Sequence, residues 1–238
     1  MSKPQLVRMN GAGNQFLLHL GTIEPNKLLK QLDGEDGILI LEEDGGETVF
    51  MRIINADGDE AEQCGNGLRC AALHLVRSKL INSNEIVIRT LAGFNKCVVH
   101  DDRNEVEVTL CAPKKESIQI PAFPNLKFVN MGNPNAVYWT EDDPISIRDS
   151  LGHKIASLPE FIHGMNVHFA RRDGDKYATC ASYERGVGNT HASGTGGASV
   201  FVSSGNSGPF YVSSVGGTLT YYYDEAGSVV MAGPASYS

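Results

Sequence analysis

Two tetrapeptides hold most of this chain's chemical potential. Cys64-Gly65-Asn66-Gly67 and Ser193-Gly194-Thr195-Gly196 lie 129 residues apart, and nine residues before each stands a polar side chain, Asn55 or Glu184. A glycine-rich loop that opens a helix presents unpaired backbone N–H groups at the positive end of the helix dipole, and such groups bind anions. Both loops are therefore expected to cradle a carboxylate. Neither is a phosphate P-loop, because no Lys-Ser or Lys-Thr follows. Cys64 sits where the dipole lowers a thiol pKa below its reference of about 8.5, which makes it a candidate base. A pseudo-twofold arrangement would set Cys64 and Ser193 on opposite sides of an anion held by the two helix N-termini. Two proton-transfer groups facing one carboxylate-bearing carbon suit a racemase or epimerase, with the cradles stabilising the charge that builds as Hα leaves.

The segments around these two loops also occur twice. Gly93 opens two alternating stretches around a polar turn, and Gly216 opens a second pair with the same layout. Asn14, after Asn10-Gly11-Ala12-Gly13, is answered by Asn133, after Asn130-Met131-Gly132. These matches in one order predict a duplicated chain. Leu68, Ala71, Ala72, Leu75 and Val76 fall at helical spacing and predict a helix directly after the first loop. Glu85 to Arg89 and Val106 to Leu110 alternate as strands do. A second helix should follow Gly194, although Gly196, Gly197, Val200 and Val202 give it poor intrinsic propensity, so packing must hold it. The expected class is α+β, with two pseudo-symmetric domains, each mainly antiparallel sheet wrapped around a central helix. The first covers residues 1–115 and carries Cys64; the second covers 116–238 and carries Ser193. The Pro-punctuated stretch from Pro113 to Pro124 is the expected joint.

Composition narrows the partners. The chain has 238 residues, 41% hydrophobic and 20% charged, enough for a core without metal or disulfide staples. With 20 Lys+Arg against 28 Asp+Glu the net charge is −8, and no basic cluster offers a nucleic-acid surface. No run approaches the ~20 apolar residues of a membrane span, and the first fifteen residues contain no apolar signal core, so a cytoplasmic protein is expected. The five cysteines show no paired spacing and should be reduced thiols, with Cys70 on the helix as packing. His74, His168 and His191 have no partners at metal spacing, and no metal site is expected.

Met9 to Phe16, Asn55-Ala56-Asp57-Gly58, Gln63 to Cys70, Met131-Gly132-Asn133-Pro134, Gly164-Met165-Asn166-Val167, Glu184-Arg185-Gly186-Val187-Gly188 and Met231 to Ala235 together resemble the diaminopimelate epimerase family. The resemblance implies a cofactor-independent, two-base conversion of LL- to meso-diaminopimelate on the route to lysine and peptidoglycan. The partner it implies is a small diamino dicarboxylate, and it leaves room for a homodimer. It also implies a last strand that returns to the first domain. Cys64 corresponds to one of the family's two acid/base cysteines. Asn14, Asn55, Asn133, Asn166, Glu184 and Arg185 match its substrate-contacting side chains, and Gly65, Asn66, Gly194 and Thr195 match its carboxylate cradles. The guanidinium of Arg185 suits a distal carboxylate, and Glu184, also counted among the acid/base residues, suits an ammonium group.

Two positions depart from the family pattern. Ser193 stands where the second cysteine belongs, and Asn135 stands where the Asn-Pro-His motif has its histidine. An alcohol is a much weaker acid than a thiol, so impaired turnover is expected. Two competing readings keep the fold: a one-base amino-acid lyase or dehydratase, and a catalytically silent amino-acid-binding module.

Overall fold

The computed structural model describes residues 6–45 and 48–238; residues 1–5, which enter the expectation about a signal segment, lie outside the described ones. The chain forms two compact units, Met1–Thr109 with Ala232–Ser238, and Leu110–Met231.

In the first unit, β1 (Leu6–Gly11) and β2 (Asn14–Leu20) form an antiparallel hairpin, and the short α1 (Pro25–Leu29) leads into β3 (Gly37–Glu43), parallel to β2. β4 (Val49–Asn55) returns antiparallel to β3 and pairs briefly with β5 (Glu60–Ala61). Then comes α2 (Gly65–Arg77), followed by β6 (Glu85–Thr90) parallel to β4, and β7 (Gly93–His100) and β8 (Glu105–Thr109), each antiparallel to the one before. Every residue of α2 from Gly65 to Leu75 is buried, and the helix packs on β1, β2, β3, β6, β7 and β8. Of the stripe expected from Leu68 to Val76, all but the half-buried Val76 thus faces a sheet that wraps it, and burial contributes roughly 1.5–3 kcal/mol for each leucine. Cys70 lies within this buried stretch.

The second unit repeats that order. β9 (Lys114–Glu116) flanks β10 (Lys127–Asn130), which forms an antiparallel pair with β11 (Pro134–Trp139); α3 (Pro144–Ala156) leads into β12 (Asn166–Gly174), parallel to β11. β13 (Tyr177–Glu184) is antiparallel to β12 and pairs with the short β14 (Gly188–Thr190). After α4 (Gly194–Ser204), β15 (Phe210–Ser214) runs parallel to β13, with β16 (Gly217–Tyr223) antiparallel to β15. The matching sequence of antiparallel and parallel pairings bears out the α+β class, with two parallel junctions in each unit's otherwise antiparallel ladder. β17 (Val229–Pro234) carries the chain past Met231 to the first unit's closing segment, where β18 (Ser236–Tyr237) pairs with β1.

Among the elements with no clear mark in the sequence are β9, α1 and α3. Lys114–Glu116 is a fully exposed strand inside the stretch expected to be a joint. α1 is short, and α3 buries only Pro144, Gly152 and Ile155, too few for a recognisable stripe. α3 does carry a local start signal, since Asp143 caps it by accepting from Ser146 N–H at 3.1 Å and Pro144 occupies the first turn.

Candidate active site

Cys64 and Ser193 occupy the same structural place in their own units: each is the N-cap residue of the central helix. Cys64 has extended backbone angles (φ −145°, ψ 105°), and its Sγ accepts from the Gly67 N–H at 3.3 Å. Ser193 has φ −133° and ψ 118°, and its Oγ accepts from the Gly196 N–H at 3.1 Å. Extended backbone at the cap turns the side chain back over the helix's unpaired N–H groups, so a polar side chain there meets one of them.

In the first unit, the β1–β2 turn brings Asn14 onto the first turn of α2, where its Oδ1 accepts from Asn66 Nδ2. Asn66 is buried, and its Oδ1 is an acceptor with no hydrogen-bond partner. A buried acceptor left open costs about 1–3 kcal/mol, which a ligand N–H would recover. Asn55 lies at the C-terminal end of β4, before the turn to β5. Cys64 is half-buried, whereas burial pushes the Cys70 and Cys97 thiols up to about 12.

In the second unit, Ser193 Oγ donates to Glu184 Oε1 at 2.7 Å. Glu184 ends β13, and the β14 return brings the chain back to the start of α4, closing the nine-residue gap between the two residues. Burial pushes the Glu184 carboxyl above its usual range, with the Ser193 hydroxyl pulling the other way. The carboxyl expected to meet an ammonium group is thus already engaged with a serine. Arg185 is held from both ends: its backbone N–H donates to Asn166 Oδ1 at 3.0 Å, and its Nη1 donates to the His163 carbonyl at 2.9 Å. Asn133 Nδ2 donates to Thr195 Oγ1 at 3.2 Å, joining the β10–β11 turn to the α4 loop.

The poor helix propensity of α4 is offset by close contacts that only glycine permits. A Cβ on Gly196 would stand 2.3 Å from His168 Cε1, and one on Gly197 would stand 2.3 Å from the Tyr221 hydroxyl, which donates to the Gly194 carbonyl at 3.0 Å. His168 is fully buried, and burial drives its imidazole down to about 3, so it is neutral at physiological pH. His74 is also buried and His191 is exposed. His168 has no partner at metal spacing along the chain, and in the fold it is a core histidine with hydrogen-bond partners on both ring nitrogens, Ser182 at 2.8 Å and Asn135 at 2.9 Å. Among the described residues no cluster of His, Cys, Asp or Glu could hold a metal ion, and no helix is long and apolar enough to cross a membrane.

Solved structures share this architecture at low sequence identity. A PhzF-family phenazine biosynthesis protein of Bacillus anthracis superposes with a TM-score of 0.72 at 13% identity, covering 98% of this chain and 96% of its own. A hydroxyproline epimerase of Agrobacterium vitis, solved with trans-4-hydroxy-L-proline bound, gives 0.71 at 14% identity, covering 99% and 89%. These define the class, a duplicated α+β fold found in phenazine-biosynthesis and epimerase proteins. Closer relatives narrow it. The family model for diaminopimelate epimerase matches residues 29–116 and 127–238. The diaminopimelate epimerase of Halothermothrix orenii is 32% identical over 266 residues, spanning 96% of this chain and 93% of that protein, and that of Bacillus subtilis is 29% identical over 275 residues, spanning 99% and 96%. The chain belongs to the diaminopimelate epimerase family.

Proposed function

We propose that this protein inverts the α-carbon of LL-diaminopimelate to give the meso isomer by proton transfer without a cofactor, at a turnover reduced by Ser193. One observation carries the reading. In a chain that matches this family almost end to end, Cys64 caps α2 with the Gly67 N–H aimed at its sulfur, and position 193 repeats that geometry on α4. The Cys64 thiolate takes Hα from one face of Cα, and the group at position 193 returns a proton to the other. The cradles around Gly65 and Asn66 and around Gly194 and Thr195 hold the α-carboxylate and stabilise the charge it gains. Asn14, Asn55, Asn133 and Asn166 orient the substrate, Glu184 lies beside its amino group, and Arg185 forms a bidentate pair with its distal carboxylate. A hydroxyl replaces the second thiol, and one well-placed acid/base is worth about 10²–10⁴-fold in rate. The reading supplies a cytoplasmic setting and a small-molecule partner through the biosynthetic route itself.

The test is a proton NMR time course of LL-diaminopimelate in heavy water, with chiral analysis of the product. Slow appearance of deuterated meso isomer is expected. A keto acid or other elimination product would instead favour the one-base lyase, and binding without Hα loss in any isomer would favour a silent module.

A further inference from the structure

A run of buried side chains beneath α4 has a single direction, and one atom sets it. Asn135 Nδ2 lies 2.8 Å from the backbone carbonyl of Asn133, a group that only accepts, so the amide nitrogen of Asn135 must face it. Asn135 Oδ1 therefore faces His168 Nε2 at 2.9 Å, and that ring nitrogen carries the proton. The other ring nitrogen, Nδ1, accepts, and Ser182 Oγ at 2.8 Å donates to it. On the other side, Asn135 Nδ2 also lies 2.8 Å from Asn133 Oδ1, which turns Asn133 Nδ2 toward Thr195 Oγ1 at 3.2 Å. Thr195 Oγ1 thus accepts, and its own proton has no place within the chain of bonds. Ser182, His168 and Asn135 are each more than nine-tenths buried, so water does not reset these orientations. Behind Ser182, the Cys180 thiol, kept protonated by burial, lies 3.9 Å from Ser182 Oγ and continues the same donor sense.

We infer that Ser182, His168 and Asn135 are positioning residues that, through Asn133, aim the Thr195 hydroxyl proton out of the protein as a donor to the ligand carboxylate at the α4 loop. The inference rests on the proposed reading of that loop as a carboxylate cradle. None of the three needs to touch substrate. Without Asn135 the Asn133 amide is free to flip, Thr195 can spend its proton on Asn133 Oδ1, and the cradle loses a charge-assisted hydrogen bond.

Two measurements test this. The first needs no ligand: long-range ¹H–¹⁵N NMR of the full chain, with the His168 ring assigned through the contact of its Hε1 with the Gly196 α-protons. The Nε2–H tautomer is expected at neutral pH, and an Nδ1–H tautomer would overturn the direction of the chain. The second is a double-mutant cycle read by calorimetry with LL-diaminopimelate as the probe, using Asn135→Leu, Thr195→Val and both together. Asn135→Leu should weaken binding about tenfold in the parent and have little further effect once Thr195 is Val. Equal losses in both backgrounds, or no loss in the parent, would overturn the inference. A parent chain that binds no diaminopimelate at all would count against the proposed substrate, and the His168 tautomer would still decide the chain of bonds.

Discussion

The Ser193 hydroxyl donates to Glu184 Oε1 at 2.7 Å while accepting from the Gly196 N–H at 3.1 Å. Its one proton is committed to a carboxyl, and its oxygen is already a capping acceptor. A thiol in that place would keep the cap, form a weaker bond to Glu184 and ionise far more easily. Ser193→Cys is therefore expected to raise diaminopimelate epimerisation by about 10²-fold or more, with the substrate dissociation constant little changed. Deuterium exchange adds detail: in the parent chain, the isomer whose Hα meets Cys64 should exchange much faster than its mirror partner at that carbon. Equal exchange of both, or unchanged turnover in the Cys variant, would remove Ser193 from the proton path.

Thiol labelling separates Cys64 from the other four cysteines. Cys70, Cys97 and Cys180 are buried with thiols pushed up to about 12, and they should stay unmodified while the protein is folded. Cys111 is the exposed competitor, and partial burial raises its thiol as well. With limiting iodoacetamide at neutral pH, peptide mapping should find Cys64 modified first. Labelling of Cys111 with Cys64 inert would remove Cys64 as the base.

Arg185 is anchored through its backbone to Asn166 and through one guanidinium nitrogen to the His163 carbonyl. That leaves the rest of its donor fork for a ligand. Arg185→Ala should weaken diaminopimelate by about 10- to 100-fold while changing binding of alanine, which lacks a distal carboxylate, by much less. Calorimetry with both ligands decides the matter, and equal losses would mark Arg185 as purely structural.

His168 should make stability fall in acid. Its ring is held down to about 3 in the fold against an ordinary value of 6.5, so between those values the unfolded chain binds a proton that the folded chain does not. Stability attributable to His168 is complete above pH 6.5 and is lost as the pH falls toward 3, by at most about 1.4 kcal/mol per pH unit. Glu184 acts in the opposite sense, since burial raises its carboxyl and that costs stability as the pH rises above the usual carboxylate range. Urea unfolding of the parent and of His168→Gln between pH 7.5 and pH 4 isolates the histidine. The two stability curves should converge in acid, whereas parallel curves would show that His168 is no less basic in the fold than in the unfolded chain.

The features that can be read along the chain are mostly local. A helix beginning at Gly65 was legible because its apolar stripe and its opening glycines are neighbours in the chain, and the same loop pattern marked the start of α4 at Gly194. The duplication was legible because both copies preserve the spacing of their turns. Features that depend on strand register are set by the folded packing alone. Ser182 and His168 are direct partners across β12 and β13, and Asn135 joins them from β11, which runs parallel to β12; no periodicity within any one strand encodes those pairings. The parallel junctions between β2 and β3 and between β4 and β6 were hidden for the same reason, since each joins strands separated by a helix. The glycines of α4 make the point most directly. By intrinsic propensity they argue against a helix, and they sit in one because His168 and Tyr221, distant in sequence, fill the space a side chain would have taken.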